Sequence, residues 1–338
     1  MTTQSLFPDI VGQDTAKRKL QFFIEGYNAS SVLPHIMFIA PKGCGKTMMA
    51  KALGKELKSR ENLGKAKKFL EINCSTIKNV KQFFNQIIIP HVNHQECTIL
   101  FDEASELPKD VTMMLLTALN PNKENRNTVS YDDYVVDFDF RRQSFMLATT
   151  EAQSIFHALM DRCDRIDLEE YSYGELAEIV NRILPDVTYE LSVLDKVATV
   201  LRGNARQAQK MATNINSYLK HRGKTNFTVE DWKSLRYTLG ILPLGINRIE
   251  LQILNVLQQK KECSLTHLSA KTGLTKSCVQ RDFEMYLQKH SLMEIGRGGR
   301  TLTQKGHKYL EDVKKYLKNE DSRKHKKTIR IKLPNEGN

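Results

Sequence analysis

The sequence contains no C-x-x-C pair, no uninterrupted apolar run long enough to cross a bilayer, and no apolar segment at its start. Its six cysteines (Cys44, Cys74, Cys97, Cys163, Cys263, Cys278) are scattered. That argues against a disulfide frame or a zinc site and predicts reduced thiols, as in a cytoplasmic protein. A spanning helix needs about 20 consecutive apolar residues, so neither a membrane anchor nor a secretory leader is expected. An acidic surplus is missing as well: the formal net charge is +12. From Ile241 onward 20 Lys and Arg face 10 Asp and Glu, whereas the first 240 residues hold 31 against 29. Basicity gathered at one end predicts a polyanion partner there, nucleic acid before membrane. A chain of 338 residues has room for two or three domains with their own cores.

What is present begins with a glycine-rich turn. Ile36 to Ala40 (IMFIA) is a short apolar segment, Ala40 to Thr47 reads APKGCGKT, and Met48 to Leu57 is helix-prone. Strand, turn and helix in that order form a phosphate cradle of the Walker A kind, whose backbone N–H groups converge on a polyphosphate. Gly43 and Gly45 permit the tight turn, so Pro41, Gly43, Cys44, Gly45 and Met48 are expected around a bound nucleotide. Lys46 would reach the β- and γ-phosphates, and the Thr47 hydroxyl would hold Mg²⁺. Ala40 replaces the usual first glycine, which works if that position needs no positive φ. Further on, Cys97 to Ser105 reads CTILFDEAS, an apolar strand running into two carboxylates. Open α/β sheets place ligands at that edge. Asp102 is expected in the Mg²⁺ shell, and Glu103 as the base that polarises the attacking water. The plainer alternative is an acidic turn after a core strand.

Other segments leave two readings open. Asp14 to about Tyr27 reads as an amphipathic helix behind FPDIVGQ, and Ile10 and Val11 either pack beside it or wall an adenine ring. Lys68 to Cys74 and Phe145 to Thr150 read as further strands, and Val80 to Ile89 as a helix. Thr149 and Thr150 either cap the next helix or touch a γ-phosphate, Thr150 being the preferred contact. Thr128 to Phe140 (TVSYDDYVVDFDF) predicts a β-hairpin turning at Asp132 and Asp133. In LMDRCDRID, Arg162 and Arg165 stand between a short helix and a last strand. They are either solvated edge residues or a finger for a neighbouring subunit's nucleotide.

The order APKGCGKT, ILFDEAS, ATT, DRC and RGNAR (Arg202 to Arg206) resembles the AAA+ ATPases. Within them it is similar to the RuvB group of Holliday-junction branch-migration motors, with clamp-loader ATPases next. DIVGQDTAKRKLQFFIE, EEYSYGELAEIV and LGINRIELQILNVL extend the likeness to about Leu310. The resemblance implies an α/β P-loop core with a parallel sheet, a helical lid and a C-terminal winged helix. It implies ATP and Mg²⁺ at Lys46, Thr47, Asp102 and Glu103, with Thr150 as sensor 1, Arg162 as trans-acting finger and Arg206 as sensor 2. It further implies a hexameric ring, duplex or four-way-junction DNA, and a RuvA-like junction-binding partner. The chain departs from the group at Ala40, at DEAS in place of DEIH, and at Met160 in place of an arginine. Its hairpin also carries Asp132, Asp133 and Asp137.

The expected division is a core over 1–170, a four-helix lid over 171–240, a winged helix over 241–317 and a basic tail without regular structure over 318–338. Leu176, Ile179, Val180 and Ile183 give the lid its first apolar stripe, and Ala205 opens a long helix to His221. In the last domain Ser264 and Thr275 cap two helices about Gly273, a helix-turn-helix, and Leu292 to Thr303 forms a wing. Lys276, Gln280 and Arg281 on the helix, with Arg297 and Arg300 on the wing, are the expected DNA contacts. The wing arginines suit phosphate or minor-groove contact, not base reading, so binding should depend weakly on sequence and fall steeply with salt. The combined expectation is an ATP-driven DNA motor. One alternative is a clamp or helicase loader with the same chemistry, and another is a DNA-binding regulator whose nucleotide site is an assembly switch.

Overall fold

The computed structural model describes residues 6–62, 64–260 and 262–331. It divides into two compact units, Met1–Ile183 with Gly203–Ala212, and Leu184–Arg202 with Thr213–Asn338.

The first unit runs α1 (Asp14–Ser30), β1 (Ile36–Ile39), α2 (Lys46–Glu56), β2 (Lys68–Asn73), α3 (Val80–Phe83), β3 (Cys97–Asp102) and α4 (Lys109–Ala118). It continues with β4 (Arg126–Tyr131), β5 (Tyr134–Asp139), β6 (Gln143–Thr149), α5 (His157–Met160), β7 (Asp164–Asp167) and α6 (Tyr173–Ile183). Five strands form a parallel sheet in the order β2-β3-β6-β1-β7. A parallel strand covered on both faces reads as a continuous apolar run, which is why β3 and β6 lack alternation. Apart from Asp102, every residue of these two strands is buried. One face packs Phe83, Phe84, Phe101, Phe138 and Phe145; the other packs Leu20, Phe38, Met49, Leu53 and Met146.

Register fixes the functional edge. Asp102 lies opposite Ala148, and Thr149 lies opposite Ile39. The carboxylates after β3, the hydroxyls after β6 and the glycine-rich loop after β1 therefore leave the sheet side by side. Between β3 and β6 the chain inserts the expected hairpin β4–β5, turning at Asp132 (φ 52°) and Asp133. Tyr131 stacks on Phe84 at 4.6 Å and ties the hairpin to the core, while Val135 near the tip is exposed. The helix that starts at α3 continues through Phe84–Val92 with wider, π-helical turns. Pro90 lies in this stretch, where its missing N–H and its ring cannot fit a regular α-turn.

The second unit contains β8 (Thr188–Tyr189), α7 (Val193–Ala198), most of α8 (Ala205–Arg222), β9 (Asn226–Phe227) and α9 (Val229–Thr238). Then follow α10 (Arg248–Gln259), α11 (Leu265–Thr272), α12 (Lys276–Cys278), α13 (Met285–Lys289), β10 (Met293–Gly296), β11 (Gly299–Leu302) and α14 (Gln304–Ile331). Ser264 and Thr275 accept from the N–H groups of His267 and Cys278, the expected N-caps, and Gly273 ends α11 at φ 73°. A π-helical stretch, Val279–Glu284, joins α12 to α13, so residues 276–289 act as one helix. Ile253, Leu254, Leu268, Leu287, Leu292 and Leu310 fill the core beneath it. The segment from 318, expected without regular structure, instead continues α14 to Ile331. No glycine or proline interrupts the chain between Gly306 and Pro334, so nothing in it stops the helix. Residues 332–338 of that expected tail lie outside the described residues.

His35, at the mouth of β1, is 6% exposed and meets Phe140 and Phe145 edge-on. Burial pushes its pKa down to about 4, against a smaller upward pull from a hydrogen bond with the Leu119 backbone. The unfolded chain takes this proton near pH 6.5 and the folded chain only near 4, so stability falls as pH drops through that window. His35→Phe keeps the aromatic packing and removes the proton. Its urea midpoint should fall less between about pH 7 and about pH 5 than that of the natural chain. Equal falls would count against the buried neutral histidine.

Candidate functional site

The chain leaves β1 into the glycine-rich loop at Ala40, which is buried and donates its N–H to the Thr149 carbonyl at 3.4 Å. Within this loop only Gly43 (φ 86°) and Gly45 (φ 93°) are left-handed, so an alanine at position 40 is conformationally sufficient. Gly45 opens α2, and Lys46 and Thr47 occupy its first turn, where backbone N–H groups and the helix dipole favour an anion. Lys46 is 7% exposed and donates from Nζ to the carbonyls of Ala40 (2.9 Å) and Pro41 (3.4 Å). Burial lowers its pKa, opposed by the carboxylates of Glu103 and Asp102.

Those carboxylates belong to the same site. Thr47 donates from Oγ1 to Asp102 Oδ2 at 2.9 Å, joining the two motifs across 55 residues. The other oxygen, Oδ1, accepts from the N–H of Glu103 at 3.0 Å. Glu103 sits at φ 54°, ψ 51°, a left-handed conformation unfavourable by roughly 1–2 kcal/mol for an L-residue. Such strain clusters at functional sites. A cavity of about 170 Å³ is bounded by Lys42, Gly43, Lys46, Thr47, Asp102 and Glu103 on one side, and by Ala205, Arg206 and Gln209 on the other.

The second wall is fastened by a residue that the sequence reading passed over. Asn204 donates from Nδ2 to the Lys42 carbonyl at 2.9 Å, while its Oδ1 accepts from the N–H groups of Arg206 (2.9 Å) and Gln207 (3.2 Å). One amide thus caps α8 and holds the phosphate loop. Ala205 adds an N–H bond to the Gly43 carbonyl at 3.1 Å. A Cβ at Gly43 would lie 2.1 Å from Asn204 Oδ1, so the glycine is required by approach as well as by φ. Asparagine just before a helix is a capping signal, and that signal was available in RGNAR.

The remaining expected residues distribute as follows. Cys44 is buried, and Met48 lines the cavity with its side chain exposed. Ile10 and Val11 are buried, Ile10 among Phe7, Ala16 and Leu20, and neither lines the phosphate cavity. Thr150 follows β6 at the shared edge, and Thr149 is fully buried with its hydroxyl accepting from the Glu151 N–H. Arg162 is absent from the cavity lining of its own chain: its guanidinium donates to the carbonyls of Leu116 (3.0 Å) and Ala158 (2.5 Å). Arg165 pairs with Asp167 through Nε, at 2.8 and 2.9 Å.

In the second unit, Lys276, Gln280, Arg281 and Arg297 are exposed. Arg300 requires a correction. The tip of the wing is Arg297-Gly298, and Arg300 lies inside the β10–β11 ladder opposite Ile295. Its guanidinium forks onto Glu284 at 2.8 and 3.1 Å, with the two side chains only 13% and 1% exposed. Largely buried and paired with a buried carboxylate, Arg300 fastens the wing to the helix and is not offered to phosphate.

The sheet order, the glycine loop and the two carboxylates define a P-loop ATPase. Residues 36–171 match the family model "ATPase family associated with various cellular activities (AAA)", and residues 243–311 match the "RuvB C-terminal winged helix domain". Residues 36–171 thus form an AAA ATPase domain, in a chain that resembles RuvB. It is 24% identical over 330 residues to the Holliday junction branch migration complex subunit RuvB of Ehrlichia canis, spanning 91% of this chain and 92% of that protein. The RuvB of Mycoplasma genitalium is 22% identical over 309 residues, 90% of this chain and 96% of its own length. The solved Thermotoga maritima RuvB, a Holliday junction branch migration motor, matches with a TM-score of 0.72 at 21% identity, covering 91% of this chain and 99% of that one.

Two outcomes follow from this geometry. Arg300→Ala strands a buried carboxylate and should destabilise the winged helix by about 3–5 kcal/mol, whereas Arg297→Ala should leave its melting unchanged. Equal melting of the two variants would contradict the buried pair. Asn204→Ala removes a cap and a loop tether, about 1 kcal/mol each, and should weaken nucleotide binding roughly fivefold or more in a fluorescent-nucleotide titration.

Proposed function

We propose that this chain is a ring-forming, ATP-driven motor of the RuvB type that moves branched duplex DNA, four-way junctions foremost. The observation that carries the reading is the Thr47–Asp102 hydrogen bond, which unites loop and carboxylates in one cavity within a chain that also bears a winged helix. The Thr47 hydroxyl and Asp102 carboxylate are hard oxygen donors of the kind Mg²⁺ prefers, and would hold that ion against the phosphates. Bound there, it would offset phosphate charge. Lys46 and Arg206 supply positive charge from opposite walls, and Glu103 accepts the proton of the attacking water. Thr150 stands at the sheet edge to orient that water.

Arg162 is held outside the cavity by the carbonyls of Leu116 and Ala158; it serves the nucleotide of the next copy, and the working form is a ring, hexameric as in the resembled group. Lys276, Gln280, Arg281 and Arg297 hold DNA through phosphates. The hairpin tip, with Asp132, Asp133 and exposed Val135, is the surface for a RuvA-like junction-binding protein whose complementary face is basic and apolar. A motor of this kind works in the cytoplasm.

Glu103→Gln should keep ATP binding and lower turnover by about 10²-fold or more, and Lys46→Ala should lose binding. Arg162→Ala should be inactive alone yet recover hydrolysis when mixed with Lys46→Ala subunits; no recovery would count against a finger lent between copies. The deciding assay is ATP-dependent migration of a synthetic four-way junction, with and without RuvA. Hydrolysis without migration would move the reading to a loader.

A further inference from the structure

The boundary between the two units falls between Arg202 and Gly203, and both residues are left-handed, at φ 59° and 68°. For glycine that conformation is ordinary; for arginine it has to be held by something. Arg202 is held by two partners within its own unit. Its guanidinium forks onto Glu250, Nη2 to Oε1 at 2.8 Å and Nη1 to Oε2 at 3.1 Å. The same guanidinium lies 3.6 Å from the centroid of the Tyr286 ring.

Each partner is itself fixed. Glu250 is fully buried and closes the capping box of α10, accepting from the Asn247 N–H at 2.8 Å. Tyr286, on the helix expected to face DNA, donates from its hydroxyl to the Leu244 carbonyl at 2.6 Å. Two residues after Arg202, Asn204 holds the carbonyl of Lys42 in the phosphate loop. A bidentate, ring-stacked cation is a use to which lysine is poorly suited.

We propose that Arg202 is a positioning residue that couples the nucleotide state of the phosphate loop to the grip of the winged helix on DNA, an inference that rests on the motor reading above. Arg202 is not among the residues that line the phosphate cavity. It anchors the winged-helix side of a two-residue left-handed turn whose other side carries Asn204. A change in phosphate-loop occupancy that moves Asn204 therefore pulls on Glu250 and Tyr286. With the anchor cut, the turn absorbs the movement instead.

The test measures the affinity of the full chain for a synthetic four-way junction with and without ATPγS, together with ATPase rates with and without the junction. The natural chain should show a nucleotide effect on affinity within the ~5–150-fold range of coupled sites. In Arg202→Ala that ratio, and the stimulation of ATPase by DNA, should both fall to about one. DNA-free ATPase and nucleotide-free junction affinity should stay within about twofold of the natural chain. Because Arg202→Ala leaves the Glu250 carboxylate buried without its cation, the double variant Arg202→Met, Glu250→Gln removes both charges, keeps an oxygen for the Asn247 N–H and serves as the fold-preserving counterpart. Natural coupling in either folded variant overturns the proposal, as does a DNA-free ATPase lost along with the coupling. A natural chain that neither hydrolyses ATP nor binds DNA in a nucleotide-dependent way fails the motor reading itself and takes this inference with it.

Discussion

The hydrogen bond from Thr47 to Asp102 exists because of sheet register. Thr47 belongs to the helix that follows β1, and Asp102 ends β3, yet β6 lies between those strands. The two groups meet because parallel strands finish at one edge and the loop after β1 folds over the end of its neighbour. Around that bond the cavity gathers a buried ammonium, a strained glutamate and an arginine from α8. None of these groups needs covalent chemistry. Phosphoryl transfer depends on positioned charge, and the sheet supplies position.

Much of this was legible in the sequence because the signals were local. IMFIA before APKGCGKT and ILF before DEAS are each a few residues long, and each turned out to be a strand with its functional group at the end. The hairpin announced itself through alternating Tyr, Val and Phe about two aspartates. Strand order was not legible from the residues, since every central strand is an apolar run with no pairing preference written in it. Arg300 was misplaced for the same reason: its partner Glu284 is 16 residues away on a helix, and spacing alone cannot pair them. The role of Asn204 was hidden differently. Its capping half is a local signal, while its bond to Lys42 spans 162 residues.

The positive charge of the second unit therefore divides into two kinds. Arg202 and Arg300 are each neutralised by a buried glutamate, so they contribute architecture and little external field. Lys276, Arg281 and Arg297 remain on the surface. A net surplus counted from the sequence treats all of these alike. Long-range attraction of a polyanion depends on the exposed set, and salt screens that set far more than the buried pairs.

Arginine is the fitting choice opposite both buried glutamates, because a guanidinium can satisfy two carboxylate oxygens at once and remain charged. Replacing such a pair with apolar residues is often neutral or stabilising, so stability alone is a weak reason for a domain to carry two of them. What the forks do provide is a fixed geometry. Glu284 locks the wing to the helix behind it, and Glu250 locks the entry to α10 to a residue just upstream of α8. A motor that converts pocket occupancy into displacement needs joints that do not slip, and a two-pronged ionic contact in a desolvated site resists rotation better than a greasy one.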